Sequence, residues 1–383
     1  MADRVYLDWN ATTPLRPEAR AAMIAAMDVV GNPSSVHAEG RAAKAIVERA
    51  RAQVAAAFGC EPGVIVFNSG ATESAAMAAP DGFGLSSAIE HDAVANSFLG
   101  LSDAAYFPVN KQGQADVGPV LEKLKDRTFR PSGVALQFAN SETGVIQNVE
   151  AAVAAIKAAD NPPEITVDAV QAAGKVGFAF NWMDTDFLLL SAHKLGGPKG
   201  VGALLTKNGD LGGRYATFAP VGYQEMGRRA GTENVIGIAG FGAAAEAAAR
   251  DLADGVWEKV AKLRNILEIG IAAGADHTIF VGKDAQRLPN TSCFASPGWK
   301  GETQVMQMDL AGFAISAGSA CSSGKVKASR VLRAMGYDED TARSAIRVSL
   351  GPTTTEDEIG RFIDAWTAAH RRFRARSVKD GAA

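Results

Sequence analysis

Apolar residues occur in two patterns along this chain, a helical periodicity and short continuous runs. Apolar residues recur at four-residue spacing from Ile46 to Phe58, which predicts a helix over residues 35–58 that ends at Gly59. Short continuous apolar runs predict buried strands, which fall at 64–67, 133–140, 164–170, 186–192 and 200–206. Buried strands between helices are typical of a largely parallel sheet that is covered on both faces.

The pattern changes towards the C-terminus. An Ala-rich stretch predicts one long helix over about 234–273, and residues 276–350 then alternate short strands, loops and a helix. We therefore predict an α/β fold: a large domain over 14–255 with a mostly parallel sheet flanked by helices, and a smaller α+β domain formed by 1–13 and 256–383.

Composition narrows the class of protein. Among 383 residues, 47% are hydrophobic and the net charge is −3, which excludes a disordered chain and gives no basic excess for nucleic acid. Three cysteines without a C-x-x-C pair predict no disulfide framework and no metal site. The N-terminus lacks a signal-peptide pattern and the apolar runs are short, so we expect a cytoplasmic protein with no membrane contact.

Two charged residues stand at the ends of apolar strands. Asp168, in VDAVQ, stands at the end of one apolar strand, and Lys194 is the last residue of SAHK, which ends the next. Taken singly, each is explained by a turn aspartate or by an exposed lysine at the start of a loop. Together they lie at the carboxyl ends of sheet strands, where α/β proteins place their ligand sites.

A third motif gives this pair a chemical meaning. SGATES places Gly70 between a strand and a helix, where backbone N–H groups and Thr72 could hold a phosphate; the alternative is a plain turn with Thr72 as N-cap. Pyridoxal phosphate (PLP) needs a lysine for its Schiff base, an anion at the pyridine nitrogen and a phosphate cradle. These three motifs could supply all three.

Two further polar residues have open interpretations. His91 could lie flat on a cofactor ring or could cap a helix that begins at Asp92. Arg347 lies in the apolar run AIRVSLG, and a buried arginine requires a carboxylate. That carboxylate is either internal or the α-carboxylate of an amino-acid substrate.

The three cysteines differ in their surroundings. Cys321 lies among Gly, Ser and Ala in SAGSACSSGKVK, where the nearby lysines favour a thiolate; the alternative is a spare cysteine in a turn. Cys293 has the surroundings of an ordinary strand cysteine, and Cys60 is either of that kind or a surface residue.

Taken together, these motifs resemble the class V aminotransferase family of fold-type I PLP enzymes, and within it the cysteine desulfurases of the NifS/IscS type. The matching stretches run in family order from residue 6 to residue 351 and include YLDWNATTP, GNPSSVHAEGR, SGATES, EHDAV, ANSETGVIQ, VDAVQ, SAHKLGGPKGVGAL, GRRAGTENV, GETQVMQMDLAG, SAGSACSSG and AIRVSLG. The SGSAC-like loop separates desulfurases from most of their relatives.

The resemblance implies a PLP site in which Lys194 forms the Schiff base, Asp168 pairs with the pyridine nitrogen and His91 stacks on the ring. The other implied cofactor contacts are Gln171 at the ring hydroxyl and, around the phosphate, Ala71, Thr72, Ser191, His193 and, from the other subunit of a homodimer, Thr232.

It also implies a substrate and a reaction. Asn10, Asn140 and Arg347 would bind L-cysteine, and Cys321 would take its sulfur as a persulfide while alanine leaves. The sulfur would pass to an acceptor protein such as a scaffold for Fe–S clusters, nitrogenase clusters included, or for thio-cofactor synthesis. The open alternatives are a selenocysteine lyase, another class V aminotransferase, and a non-enzymatic sulfur carrier or assembly platform.

The chain departs from the family pattern at three places. The segment after SGATES, AAMAAPDGFGLSS, is shortened; Ser141 stands where asparagine is common; and Trp9 precedes Asn10. The spacing from Cys321 to AIRVSLG is that of the NifS/IscS group.

Overall fold

A seven-stranded sheet forms the centre of the N-terminal two-thirds of the molecule. The computed structural model describes residues 4–99, 106–126, 130–209, 224–318 and 328–380. The strands of this sheet are β2 (Ile65–Asn68), β3 (Gly84–Ser87), β4 (Tyr106–Phe107), β5 (Gly133–Gln137), β6 (Glu164–Asp168), β7 (Phe187–Ser191) and β8 (Gly202–Thr206).

The order across the sheet is β2-β8-β7-β6-β5-β3-β4. The pairs from β7 to β4 are parallel, and only β8 runs antiparallel to its two neighbours. The predicted α/β class with a mostly parallel sheet is therefore confirmed.

Both faces of this sheet are buried, as the continuous apolar runs predicted. Along β7, Leu188 and Leu190 pack into one core while Phe187 and Leu189 pack into another on the opposite face. The helices of this part are α1 (Pro17–Met27), α2 (Ala38–Phe58), α3 (Ala71–Met77), α4 (Asp92–Leu99), α5 (Gly118–Lys125), α6 (Val149–Lys157), the single turn α7 (Gln224–Gly227) and α8 (Val235–Ala253).

Helix α2 shows how the sequence sets helix ends. His37 caps its N-terminus by accepting the Gly40 N–H, and Gly59 ends it with a left-handed φ of 61°. An added Cβ at Gly59 would lie 2.5 Å from the Cβ of Ala179, so the turn needs glycine for space as well as for φ.

The single long helix predicted over 234–273 is wrong. The chain forms two helices instead, α8 and α9 (Val256–Gly274), which are separated at Gly255 with a φ of 68°. Glycine in this conformation ends a helix because it has no Cβ to clash. Periodicity continues on both sides of the break, which is why the pattern alone did not reveal it.

The C-terminal third builds a second core on an antiparallel sheet. Its four strands, β9 (Ile279–Phe280), β10 (Thr291–Ala295), β12 (Ser316–Ala317) and β13 (Ala345–Ser349), are ordered β12-β13-β10-β9. The strand β1 (Val5–Tyr6) pairs in parallel with β11 (Phe313–Ala314). The remaining helices are α10 (Gly301–Leu310), α11 (Arg330–Ala334), α12 (Glu339–Ser344) and α13 (Glu356–Asp380).

N-terminal residues take part in this second core. Val5 and Leu7 pack with Phe294, Phe362 and Trp366. The boundaries 1–13, 14–255 and 256–383 stay a prediction. In the described part of the chain, no helix combines the length and the apolar character needed to cross a membrane.

Candidate active site

Asp168 and Lys194 follow neighbouring parallel strands. Asp168 is the last residue of β6 and pairs in register with Leu189 of β7, and Lys194 is the last residue of the single 3-10 turn (Ala192–Lys194) that follows β7. Burial raises the pKa of Asp168, while its hydrogen bond from the Val170 N–H (2.9 Å) and the nearby His91 and Lys194 oppose the rise. A buried carboxylate of this kind is stabilised when a cation lies against it.

The Lys194 amine is held by the N-terminal segment. Its Nζ donates to the carbonyl oxygens of Asn10 (2.7 Å) and Ala11 (3.0 Å). The hydroxyl of Thr13 donates to the Lys194 carbonyl (2.8 Å), and its N–H donates to the His193 carbonyl (2.9 Å). Sequence analysis missed Ala11 and Thr13, although the polar run NATT before α1 was a signal.

Gln171 binds the same backbone carbonyl as Lys194, and its side-chain oxygen lacks a donor among the described residues. Its Nε2 donates to the Asn10 carbonyl (3.0 Å), which also accepts from Lys194. Its Oε1 is buried, and no donor among the described residues reaches it. A buried amide oxygen in this state favours a ligand that donates to it.

Three of the expected phosphate contacts, Ala71, Thr72 and Ser191, lie around the start of α3. Gly70 is the N-cap residue, so Ala71 and Thr72 occupy the first turn and Thr72 is not the cap. A Cβ on Gly202 would lie 2.6 Å from the Cα of Gly70, and Gly202 pairs with Ser191 at the end of β7. The strand end and the helix start therefore adjoin.

This corner has room and free donors for an anion. A Cβ on Gly70 would meet no atom within 4 Å. The first N–H groups of a helix have no carbonyl partner within that helix, and they attract anions. The group that the motifs imply, PLP, fits the residues present: a lysine, a buried carboxylate, an open amide oxygen and an uncrowded helix start.

His193 follows Ser191 by two residues, in the turn after β7. Its Nδ1 is 3.1 Å from the hydroxyl of Thr12. Burial and the charge of Lys194, with smaller effects of Lys199 and Lys175, lower its pKa to about 4. In the protein without a bound anion, His193 is therefore neutral at pH 7, and its ring would offer a hydrogen bond to a phosphate.

The structure places His91 at a helix start beside Asp168. Its Nδ1 accepts the Ala93 N–H (3.1 Å), so it caps α4 as one interpretation held, and its charge lowers the pKa of Asp168. Because Nδ1 accepts this bond, Nε2 is the ring nitrogen available to donate. Thr232 is exposed on the segment between α7 and α8.

At the other end of the site, Arg347 is already paired. In β13 its Nη2 donates to Asp8 Oδ1 (2.7 Å) and its Nη1 donates to the Ser141 carbonyl (3.0 Å). Its Nε is buried and has no acceptor among the described residues. Asp8 is therefore an internal carboxylate partner of Arg347, one of the two possibilities that the sequence left open. Nothing in the motif YLDWN indicated that Asp8 pairs with Arg347.

Both asparagines of the expected substrate contacts are engaged within the protein. Asn10 donates to Thr291 Oγ1 (2.8 Å) and accepts from Asn290 Nδ2 (3.0 Å). Asn140 Oδ1 accepts the N–H groups of Glu142 and Thr143, each at 2.9 Å. Their observed bonds shape the loops around Arg347.

Several buried ionisable residues escaped sequence analysis. Burial, together with the charges of Lys194 and Arg347, lowers the pKa of Lys175 to about 7. Burial raises the pKa of Glu90 to about 8 and that of Glu142 to about 7. These residues lie inside the motifs EHDAV, ANSETG and VDAVQAAGK, and the motifs do not reveal that the side chains are buried.

Cys321 lies outside the described residues. Cys293 is fully buried in β10, where burial raises the pKa of its thiol, as expected for a strand cysteine. Cys60 is half-buried just after α2, and burial with the charge of Glu61 raises its pKa to about 12. Neither thiol ionises near neutral pH.

Comparison with known proteins places these motifs in a family. The model of the family "Aminotransferase class-V" matches residues 5–362. The chain belongs to the class-V aminotransferase family. A curated member, "Cysteine desulfurase" from Cereibacter sphaeroides, is 39% identical over 94% of this chain and 94% of its own.

Similar solved structures have the same fold. The X-ray structure of a NifS-like protein from Rickettsia africae ESF-5 matches with a TM-score of 0.86 and 32% identity, covering 96% of this chain and 99% of that one. A structure titled "SspA in complex with cysteine" matches with a TM-score of 0.75 and 25% identity, covering 92% and 100%.

Proposed function

We propose that this class-V aminotransferase family member is a PLP-dependent cysteine desulfurase that converts L-cysteine to L-alanine and carries the sulfur as a persulfide on Cys321. The observation that carries the proposal is the pair formed by Asp168 and Lys194 at the ends of adjacent parallel strands. The name cysteine desulfurase among the relatives and the cysteine in one related structure support the choice of substrate.

The cofactor end of the site would work through residues already in place. PLP, when bound, supplies an electron sink for a carbanion at the substrate α-carbon. Lys194 would first hold the cofactor and then, once released, remove the α-proton with its Nζ. Asp168 would keep a proton on the pyridine nitrogen, because a charge-assisted hydrogen bond stabilises both partners.

The other end would bind and orient the amino acid. Arg347 offers a buried Nε without an acceptor among the described residues, and the substrate carboxylate would bind its guanidinium. Asn140 and Asn10 would position the walls around it through the bonds described above.

The sulfur step balances without an external oxidant. The Cys321 thiolate attacks the substrate sulfur, the new S–S bond forms, and the Cβ–S bond breaks with its electron pair remaining on the carbon side. That carbon is then protonated, so L-cysteine and one thiol become L-alanine and one persulfide. The raised pKa values of Cys60 and Cys293 leave Cys321 as the thiol suited to this role.

We extend the proposal to the setting of the enzyme. A homodimer would bring Thr232 to the phosphate of the partner's cofactor, which agrees with its exposure on a single chain. The persulfide would pass to an acceptor protein such as an Fe–S cluster scaffold, in the cytoplasm.

The test is alanine formation from L-cysteine by the purified protein loaded with PLP. From the wild type we expect alanine and transferable sulfur in equal amounts, and from Cys321→Ser we expect almost no alanine. Full alanine production by Cys321→Ser would instead favour a lyase, and amino-group transfer to a keto acid without sulfur release would favour an aminotransferase.

A further inference from the structure

A strained turn lies directly before Arg229 and Thr232. Glu225 and Met226, two consecutive non-glycine residues in α7, have left-handed φ values of 48° and 60°. Such conformations persist only where the surrounding structure fixes them. The turn is therefore held in one arrangement from outside.

A buried ion pair provides this restraint. Arg51 of α2 donates from both terminal nitrogens to the two carboxylate oxygens of Glu225, each at 2.8 Å, and both side chains are almost fully buried. The Phe67 N–H also donates to Glu225 (3.0 Å). Because Phe67 belongs to β2, the turn is fixed to the strand that leads into α3.

From this fixed turn, Arg229 reaches the start of α3. Its Nε donates to Glu73 Oε1 (2.8 Å) and its Nη2 lies 3.4 Å from Oε2. Glu73 Oε2 also accepts the Ser69 N–H at 2.7 Å. One carboxylate thus joins the loop before α3, the first turn of α3 and a segment 156 positions later.

The charge of Glu73 is unfavourable for the site that we propose here. A carboxylate in the first turn of a helix competes with, and repels, a phosphate at the same helix end. Burial raises the pKa of Glu73, but hydrogen bonds from Arg229 and Ser69 together outweigh burial, and the net pKa lies below its ordinary value. Glu73 is an anion at neutral pH, and Arg229 is the cation that neutralises it.

We infer that Arg229 is a positioning residue for the cofactor phosphate, which it serves by neutralising and holding Glu73 while the strained turn fixes Arg229 itself. The inference rests on the proposed PLP function. Glu73 then has a specific role, because its carboxylate occupies the Ser69 N–H and leaves the N–H groups of Ala71 and Thr72 for the phosphate. Because Thr232 lies three residues beyond Arg229, the same pair sets the start of the segment that carries Thr232.

The experiment compares binding of two aldehydes to the full-length apoprotein, prepared by removing the cofactor. PLP and pyridoxal both react with Lys194, but only PLP carries a phosphate, so their ratio of dissociation constants isolates the phosphate contact. The variants are Arg229→Leu, Glu73→Gln and the double variant. Arg250→Leu is the matched control, because Arg250 forms an exposed pair with Glu246 of α8.

We expect Arg229→Leu to raise the dissociation constant of PLP about tenfold, because one carboxylate near the phosphate is then uncompensated. The dissociation constant of pyridoxal should stay within about twofold. Glu73→Gln should leave pyridoxal within about twofold and should not weaken PLP binding, since its amide oxygen still accepts the Ser69 N–H and the unpaired Arg229 cation attracts the phosphate. The double variant should recover most of the PLP affinity that Arg229→Leu loses.

Equal weakening of PLP and pyridoxal by Arg229→Leu, or no recovery in the double variant, would overturn the inference, because a simple structural tether gives those results. An unchanged PLP affinity in Arg229→Leu would overturn it as well. Failure of the wild-type apoprotein to bind either aldehyde would instead contradict the proposed function.

Discussion

The two ends of the active site differ in how far the protein satisfies its own polar groups. At the cofactor end, Gln171 Oε1 is buried without a donor among the described residues, and the space beside Gly70 is open to 4 Å. At the end that would bind the substrate carboxylate, which we call the carboxylate end, both terminal nitrogens of Arg347 have partners and only its Nε lacks an acceptor among the described residues. Asn10 there is bonded to Thr291 and Asn290.

This difference matches the lifetimes of the two ligands. A cofactor that stays bound can complete hydrogen bonds that the protein leaves open, because the empty state is rare. A substrate that enters and leaves each cycle exposes its binding site repeatedly, and a buried arginine without a partner is strongly unfavourable. On the proposed function, Asp8 would therefore take the place of the substrate carboxylate at Arg347 between turnovers.

Removing the lysine should break the cofactor end completely. Lys194→Ala should reduce alanine formation to below about one-thousandth of the wild-type rate and abolish the visible absorbance of covalently bound PLP, because no other amine takes its place. Lys199→Ala is the control, since Lys199 is exposed five residues away. Retained turnover in the Lys194 variant would refute its role.

Removing the charge of Asp168 should lower activity without preventing PLP from binding. Asp168→Asn should still bind PLP but lose about a hundredfold in kcat, because the pyridine nitrogen loses the charge that keeps it protonated. Asp116→Asn is matched in local structure, since Asp116 Oδ1 also accepts an N–H two residues ahead. Equal activity of the two variants would make Asp168 a turn residue only.

The carboxylate end should respond to the loss of its internal competitor. In Asp8→Asn, the substrate carboxylate no longer displaces a charged partner from Arg347, so KM for L-cysteine should fall about threefold while PLP affinity stays constant. Steady-state kinetics and a cofactor titration measure both. A rise in KM would show that Asp8 orients Arg347 and does not compete for it.

The smallest expected effect concerns Lys175, whose pKa is lowered by burial and by the positive charges of Lys194 at one end of the site and Arg347 at the other. Its pKa falls to about 7 from an unfolded value of about 10.4, so between these values the unfolded chain binds more protons at this position. The free energy of unfolding therefore rises with pH between about 7 and about 10.4 because of Lys175, and the contribution of Lys175 is least favourable at and below pH 7.

Lys175→Met should remove this dependence. The melting temperature should rise by about 2 °C at pH 7, with a smaller gain at pH 10. A gain that is larger at pH 10 than at pH 7 would contradict the lowered pKa.

The sequence predicted the strands and the chemistry at their ends because both follow from local patterns. Buried parallel strands appear as continuous apolar runs, and Asp168 and Lys194 follow such runs directly. What it missed depends on contacts between distant segments. Asp8 and Arg347 are 339 positions apart, and Glu73 and Arg229 are 156 apart.

Burial of single ionisable groups was also beyond the sequence. Nothing in EHDAV or ANSETG distinguishes a buried glutamate from a solvated one, yet burial raises the pKa of Glu90 and of Glu142. The break at Gly255 escaped for a related reason, because a glycine within an Ala-rich stretch is compatible with both a continuous and a divided helix.

Transfer of substrate sulfur to Cys321, at a PLP site built around Lys194, is the central element of the proposed function. The most direct measurement exposes the loaded wild-type protein briefly to L-cysteine and locates added sulfur by peptide mass spectrometry, with alanine measured in the same sample. We predict one added sulfur atom on Cys321, none on Cys60 or Cys293, and alanine in matching amount. Added sulfur on Cys60 or Cys293 but not on Cys321, or alanine without any sulfur adduct, would contradict it.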